Sequence, residues 1–406
     1  MTAYCCRKLS GEDKKVHIMK HKIGITATGA TCNVGDFLRG QAAIDLVRKC
    51  MPDAMITIFC HNKPRFQGTY LLEHFSEVYN GIKRRDSAQM RHSIDYYRTL
   101  LGQDVIVISE GTLHGYSRKA VIPSFAGTEI LVMMSKVFRH KKIKFIPLGI
   151  SYEPGPSPPS NFLNDLLLKS CVTAVSTRDE QSYNYLRSLG INNVLLAADL
   201  TFNIDELSEG KGSIGITDNT DNDALTIGVN LRPHWNESKI LLIIGKAIRL
   251  IFKKYQEKVR VIFFPLEIDD YVMATKLSRL LPREKIEVLS MNNKYVSMPY
   301  VHKLIDNMSR LDVAIGMRLH FGILSLICKK PFIPLSYHQK VKNLAMEFEL
   351  EFINIENFDS KTPEKIYNLI MEMSYNDMAH LIEEKLRFVR RRATNNLKLL
   401  KEFINL

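Results

Sequence analysis

Residues 311–340, LDVAIGMRLHFGILSLICKKPFIPLSYHQK, hold a strand, a turn, a helix and a second strand in close succession. Asp312 to Ile315 is a short apolar run, and Gly316 permits a tight turn. Arg318 and His320 then stand at the start of an apolar helix over 319–327, followed by a strand from Phe332 to Leu335 and by Lys340. Strand, helix and strand joined this tightly specify a parallel crossover unit. Basic side chains just past a strand end, where backbone amides and a helix N-terminus also point outward, make a place for a small anion.

The same rhythm runs outward from this stretch in both directions. In the first half, strands are expected at Ile23 to Thr28, Met55 to Cys60, Val105 to Ser109, Ile143 to Leu148, Val172 to Val175 and Val194 to Leu196. Helical spacing occupies Phe37 to Cys50, Glu129 to Arg139, Phe162 to Lys169 and Glu180 to Leu189 between them. Residues 206–224 are polar, contain glycines and carry few packing groups, which marks a linker. Beyond it, strands at Leu225 to Asn230, Val261 to Phe264 and Ile286 to Leu289 lead into the opening stretch, with helices at 237–255 and 299–308. The expected fold is α/β: two doubly wound, Rossmann-like domains, 1–205 and 225–378, facing a cleft at the carboxyl ends of both sheets.

The chain ends in helix. Thr362-Pro363-Glu364 supplies a cap, a proline at the first position and an acid in the first turn. The helix over 379–402 pairs an apolar stripe (Leu381, Leu386, Val389, Leu397, Leu400) with basic residues including Lys385, Arg387, Arg390 to Arg392, Lys398 and Lys401. Residues 379–406 are expected to fold back and complete the first domain with the basic face in solvent. The alternative is peripheral contact of that face with an anionic membrane at its inner side.

Composition narrows the classes. A chain of 406 residues, 45% hydrophobic, is a two-domain globular protein. The net charge of +13 suits an anionic substrate or surface, and no aromatic-basic module points to nucleic acid. Seven cysteines without pattern, the absence of a signal-like start and the absence of any long apolar run give the expectation of a cytoplasmic protein with reduced thiols.

Candidate chemistry gathers after the strands. Asn33 and Asp36, in Asn33-Val34-Gly35-Asp36, cap the first helix or touch a ligand, and Asp36 is a candidate base toward a sugar hydroxyl. The loop is neither a dinucleotide fingerprint nor a P-loop. Glu110 and His114 follow the Val105 strand, where acid–base groups are useful. Arg178 leaves the next strand with a five-donor fork that fits a carboxylate or phosphate, or forms a salt bridge between the domains. Asp199 is expected to shape the hinge. Arg232 closes the Leu225 strand, with Trp235 nearby as a sugar platform, and Arg318 and His320 are set to approach a ligand from different backbone angles.

The order and spacing of Asn33-Val34-Gly35-Asp36, Ser176-Thr177-Arg178-Asp179-Glu180-Gln181-Ser182, Asp199 with Thr201-Phe202, Asn230-Leu231-Arg232, Gly316-Met317-Arg318-Leu319-His320 and Pro331 through Tyr337 and Lys340 resemble the polysaccharide pyruvyl transferase family. The resemblance covers about residues 22 to 350 and implies a GT-B-like, two-domain glycosyltransferase architecture. It implies transfer of the pyruvyl unit of phosphoenolpyruvate onto two hydroxyls of a cell-surface sugar or its lipid-linked precursor, giving a ketal and phosphate. The C-terminal domain would hold the donor, through Arg318, His320 and the backbone at Leu319, with Arg178, Arg232 and Lys340 adding charge. The N-terminal domain would face the acceptor, with Asn33 and His114 binding and Asp36 or Glu110 as base. His320 is the candidate acid or phosphate stabiliser. No metal and no cofactor is expected, since arginines can neutralise the phosphate. On this reading, Arg318→Ala loses donor binding with the fold intact.

Two loops depart from the family pattern, Ser109-Glu110-Gly111 and Gly149 to Pro156. A glycosyltransferase of the same shape using a nucleotide-sugar is the main alternative, with Glu267 or Asp312 as the acid for a ribose. A sugar- or surface-binding protein without turnover is the third.

Overall fold

The computed structural model describes residues 21–27, 33–59, 75–79, 98, 100–113, 143–152, 158–204, 225–281, 286–291, 296–372 and 375–404. The linker 206–224, the helix expected at Glu129 to Arg139, and His114 lie outside the described residues.

Two parallel sheets carry the molecule. The first comprises β1 (Lys22–Thr26), β2 (Met55–Phe59), β3 (Phe75–Tyr79), β4 (Val105–Ile108) and β6 (Lys144–Pro147), in the order β3-β2-β1-β4-β6. The second comprises β10 (Leu225–Asn230), β11 (Val259–Phe263), β12 (Ile286–Val288), β13 (Val313–Gly316), β14 (Phe332–Ser336) and β15 (Ile353–Asn354), in the order β12-β11-β10-β13-β14-β15. Central strands such as β4 and β13 are buried along their whole length, as continuous apolar runs covered on both faces must be. Both sheets reverse direction of winding beside their first strand, between β1 and β4 and between β10 and β13. In open parallel sheets, ligands bind in the crevice above the strand ends at these reversals.

The helices are α1 (Val34–Cys50), α2 (Pro158–Cys171), α3 (Glu180–Ser188), α4 (Glu237–Tyr255), α5 (Asp270–Leu280), α6 (Met298–Met308), α7 (Leu319–Ile327), α8 (Gln339–Glu347), α9 (Thr362–Glu372) and α10 (Tyr375–Ile404). Helix α7 buries every residue except His320, so the apolar run LHFGILSLI is a central helix. Helix α10 begins earlier than its periodicity suggests. Its stripe Ile382, Leu386, Val389, Ala393, Leu400 and Ile404 is buried in one apolar cluster with residues of α1 and of both sheets. Much of the basic face is occupied within the protein: Lys385 pairs with Glu349, Arg387 with Glu383, and Arg392 with Glu347 on α8. No helix among the described residues is long and apolar enough to cross a membrane.

The two loops that depart from the family pattern meet each other. β5 (Thr112–Leu113) and β7 (Ser151–Tyr152) form a short parallel ladder. A second parallel pair joins β8 (Val175–Thr177) to β9 (Val194–Leu196), and an isolated bridge from Ile150 to Thr177 ties the pairs together.

Candidate active site

The two reversal points face one another across a cavity of about 300 Å³. From the first sheet come Asn33 and Asp36 after β1, and Glu110, Gly111 and Thr112 after β4. The second contributes Arg232 after β10, Glu267 after β11, Arg318, Leu319 and His320 after β13, and Tyr337 and Lys340 after β14. Arg39 and Arg178 complete the wall. Of the site residues expected from sequence, all but His114, which lies outside the described residues, and Trp235 are therefore gathered in one place. Trp235 is 80% exposed and outside this wall.

Asn33 is the N-cap of α1: its side-chain oxygen accepts from the amides of Gly35 at 2.8 Å and Asp36 at 3.2 Å. Its amide group donates to Glu267, and the Val34 amide donates to Leu266 O at 3.0 Å, so the start of α1 is docked onto the loop after β11. Gly35 leaves room for His320. A Cβ on Gly35 would lie 1.9 Å from His320 Nδ1, closer than any packing allows. Gly111 serves Arg39 in the same way, since a Cβ there would lie 1.4 Å from an Arg39 nitrogen. Asp36, read as a candidate base, holds Arg39 Nη2 at 2.7 Å one turn along the helix. Glu110 is buried in the wall.

Arg318 is 7% exposed and already engaged. Nε and Nη2 donate to the fully buried Asp270 at 2.8 and 2.6 Å, and Nη2 also reaches Glu267. Burial pushes the Asp270 carboxyl up, against the pull of Arg318 and of the Leu266 amide. Asn230, at the end of β10, fixes this corner by donating to Phe264 O and accepting from the Arg318 amide. The expectation that Arg318→Ala leaves the fold intact is corrected here: removing this cation strands two neighbouring carboxylates, one of them fully buried. Arg318 donates through Nε and Nη2, and Nη1 carries no hydrogen bond among the described residues.

Arg178 is buried too, with Nη1 on Asp199 at 2.8 Å and Nε on Ser151 at 2.7 Å. The β5–β7 ladder thus positions the serine that braces this arginine. The salt bridge forms within the first half of the chain, not between the halves. It is Asp199 that crosses, because His320 Nε2 from the second half lies 3.6 Å from its Oδ1. That separation is too long for a hydrogen bond, and His320 Nε2 is buried without one. Asp199 therefore does more than shape a hinge. Burial pushes its carboxyl up, but His320, Arg178 and Arg39 outweigh burial and hold it well below the usual carboxylate range. Burial is the largest influence at His320 and lowers its pKa, against the pull of Asp199.

Arg232 differs from both. Its guanidinium donates to the Tyr337 hydroxyl at 2.7 Å and lies 5.1 Å from that ring's centre. Among the described residues it has no carboxylate partner, and its buried Nε has no hydrogen bond. In total the wall carries five basic side chains (Arg39, Arg178, Arg232, Arg318, Lys340) against three acidic ones (Asp36, Glu110, Glu267), with Asp199 and Asp270 behind them.

Arg39, Asp199, Asp270 and Tyr337 were not picked out from sequence as site residues. Arg39 stands three residues after Asp36, the spacing of one helical face, which is the signal that could have found it. Asp270 follows Glu267 and Asp269 in an acidic helix start, but nothing local says that it meets Arg318. Asn396 on α10 was missed as well. Fully buried, it accepts from Ser176 and donates to Ala198 O and to Asn203 Oδ1, fixing the chain on both sides of Asp199. Among the described residues, no group of three or more His, Cys, Asp or Glu is placed to hold a metal ion.

The family model described as polysaccharide pyruvyl transferase matches residues 33–339. No curated protein matches the sequence significantly. Solved structures of similar shape include HepE of Anabaena in complex with UDP and glucose, at 12% identity and TM-score 0.56, over 95% of this chain and 99% of that one. The UDP-GlcNAc 2-epimerase of Neisseria meningitidis bound to UDP-GlcNAc shares 15% identity at TM-score 0.58, over 95% and 100% of the two chains. A glycosyltransferase of Rickettsia africae shares 13% identity at TM-score 0.58, over 95% and 98%. At these identities the likeness concerns the fold, which is GT-B-like as expected.

Proposed function

The chain belongs to the polysaccharide pyruvyl transferase family, and on that footing we propose that it takes phosphoenolpyruvate as donor and forms a pyruvate ketal on a sugar. The observation that carries this reading is the cationic wall above both strand reversals, with Arg232 held by a phenol and no carboxylate. Phosphoenolpyruvate bears a carboxylate and a phosphate, and two fixed cationic anchors suit it. Arg232 and Lys340 on one side and the open edges of Arg318 and Arg178 on the others supply them. The first half of the chain would face the acceptor.

The chemistry begins with proton transfer to the methylene carbon of the donor, leaving an oxocarbenium centre at the carbon that carries the carboxylate and phosphate. A sugar hydroxyl adds there and gives up its proton to a base, for which Asp36 and Glu110 are the cavity carboxylates. The bond from that carbon to the phosphate oxygen then breaks, and inorganic phosphate leaves with the oxygen. The second hydroxyl closes the ketal and its proton passes to His320, restoring the acid, while the proton held by the base leaves with the phosphate. His320 is the proposed acid. Burial disfavours its charged form before the donor arrives, whereas Asp199 behind it and the anionic donor in front favour imidazolium, so donor binding would load the proton.

The nucleotide-sugar alternative fares less well on its own candidates. Glu267 is tied to Asn33 and Arg318, and Asp312 holds the Thr226 amide at the opposite end of the strands from the cavity. Incubating the protein with phosphoenolpyruvate and a panel of glycans tests the reading. Acceptor-dependent phosphate release, with the mass increment of a pyruvate ketal on the glycan, is the expected result. Turnover with nucleotide-sugars alone would overturn it.

A further inference from the structure

A second cavity of about 680 Å³ adjoins the first and shares Arg178, Leu319 and Lys340 with it as a common wall. Four helices line it, α7 with Leu319 and Ile323 and three others with polar and aromatic residues at helical spacing. Helix α3 offers Gln181 and Asn184, α8 offers Gln339, Asn343 and Met346, and α10 offers Phe388 and Arg392. Met346 and Phe388 are large apolar side chains left 61% and 59% exposed at the same opening. Clustered apolar exposure rimmed by polar groups marks a binding surface.

Charge distinguishes this cavity from its neighbour. It is lined by four basic side chains (Arg178, Lys340, Lys342, Arg392) and four acidic ones (Asp179, Glu180, Asp199, Glu347), and Arg178–Asp199 and Arg392–Glu347 are direct pairs. A balanced wall offers no net attraction to a phosphate. Side-chain amides, with Gln339 and Asn343 bonded to each other at 2.7 Å, stand beside the Phe388 ring, which carries Arg392 5.8 Å from its centre on one face. Such amides and the open face of the ring suit the hydroxyls and apolar face of a neutral pyranose.

We propose that this second cavity is a subsite for the inner residues of a neutral oligosaccharide acceptor, whose terminal sugar enters the first cavity past Arg178 and Lys340. The proposal rests on the pyruvyl transfer reading for the identity of the terminal reaction. It adds that the enzyme selects acceptors by chain length and that α10, besides closing the fold, carries part of the specificity.

The test is binding of neutral gluco- and galacto-oligosaccharides, from mono- to tetrasaccharide, by calorimetry and saturation-transfer NMR on the full chain. Affinity should rise by about tenfold or more with length, and Phe388→Ala and Asn343→Ala should each flatten that dependence. Equal affinity at all lengths, or an unaltered length dependence in both variants, would overturn the subsite. So would inorganic pyrophosphate displacing the tetrasaccharide, which would assign the cavity to a diphosphate. A parallel titration with phosphoenolpyruvate keeps the two readings apart. Length-dependent glycan binding without donor binding leaves the subsite standing and removes the donor. Donor binding without length dependence does the reverse.

Discussion

Arg318 and Arg178 are equally buried, at 7% and 8% exposure, and both border the same cavity, yet their partners give them different work. Arg318 faces two carboxylates, Asp270 and Glu267, both supplied by the loop and helix start that follow β11. Its charge is more than matched, and its first duty is to hold that corner together. Arg178 meets one carboxylate, and that carboxylate is shared with His320 from the other half of the chain. Burial alone would rank the two together. The number and sharing of their counter-charges separate a brace from a residue whose carboxylate is shared with a histidine of the other half.

The largest effect expected from this contrast is on stability. Arg318→Ala leaves Asp270 buried beside Glu267 with no cation between them, and breaking a buried pair in this way costs about 3–5 kcal/mol. Arg178→Ala should cost clearly less, because Asp199 retains the Thr201 amide and hydroxyl at 3.0 and 2.9 Å and the nearby imidazole, which can take up a proton. Denaturant unfolding of both variants measures the difference. Equal losses would erase the distinction drawn here. A double variant, Arg318→Met with Asp270→Asn, should recover part of the loss by removing the stranded charge together with its partner.

A smaller effect separates Asp199 from a merely structural carboxylate. If His320 acts as an acid, activity is present below its pKa in the donor complex and lost as pH rises through it. Asp199 raises that pKa, so Asp199→Asn should move the alkaline limb of kcat to lower pH and cut turnover at pH 7 by on the order of 10². The stability contribution has the opposite sign of dependence. Asp199 titrates well below the usual carboxylate range in the folded protein, so what it adds to stability is present above its unfolded pKa and fades as pH falls toward the folded one. A uniform drop in kcat with an unmoved alkaline limb would reduce Asp199 to a partner of Arg178.

The fold was more legible than the partnerships. Strands β9 and β10 and helices α4 and α7 coincide with the segments their patterns predict, because apolar runs and helical periodicity are local signals. Elements with little apolar weight escaped, including β15 and the two-residue strands β5 and β7, whose pairing depends on loops far apart in sequence. The candidate site shows the same division. Residues just past strand ends were found by position, since topology alone carries those ends to the cleft. Which carboxylate meets which donor depends on side-chain reach across loops: Arg318 with Asp270 spans 48 residues, and Asn33 with Glu267 spans 234. No periodicity encodes such contacts, so the sequence pointed to Arg318 as a free anchor where the structure holds it in a carboxylate pair.

The contrast finally singles out a third arginine, which is neither over-matched like Arg318 nor shared like Arg178. Arg232 is steadied by the Tyr337 hydroxyl and ring, so its charge is committed to no carboxylate among the described residues. An arriving anion gains a charge-assisted bond without displacing an existing ion pair, worth about 1.5–3 kcal/mol. Arg232→Gln should therefore weaken phosphoenolpyruvate binding by roughly tenfold to a hundredfold. Folding stability should change little, because no counter-charge is stranded. Tyr337→Phe supplies the finer measurement: it frees the guanidinium from its hydrogen bond but keeps the ring, and should weaken the donor less than Arg232→Gln does. Calorimetric titration of both variants decides the matter, and an unchanged donor affinity in Arg232→Gln would return the anchoring role to the open edges of the two buried arginines.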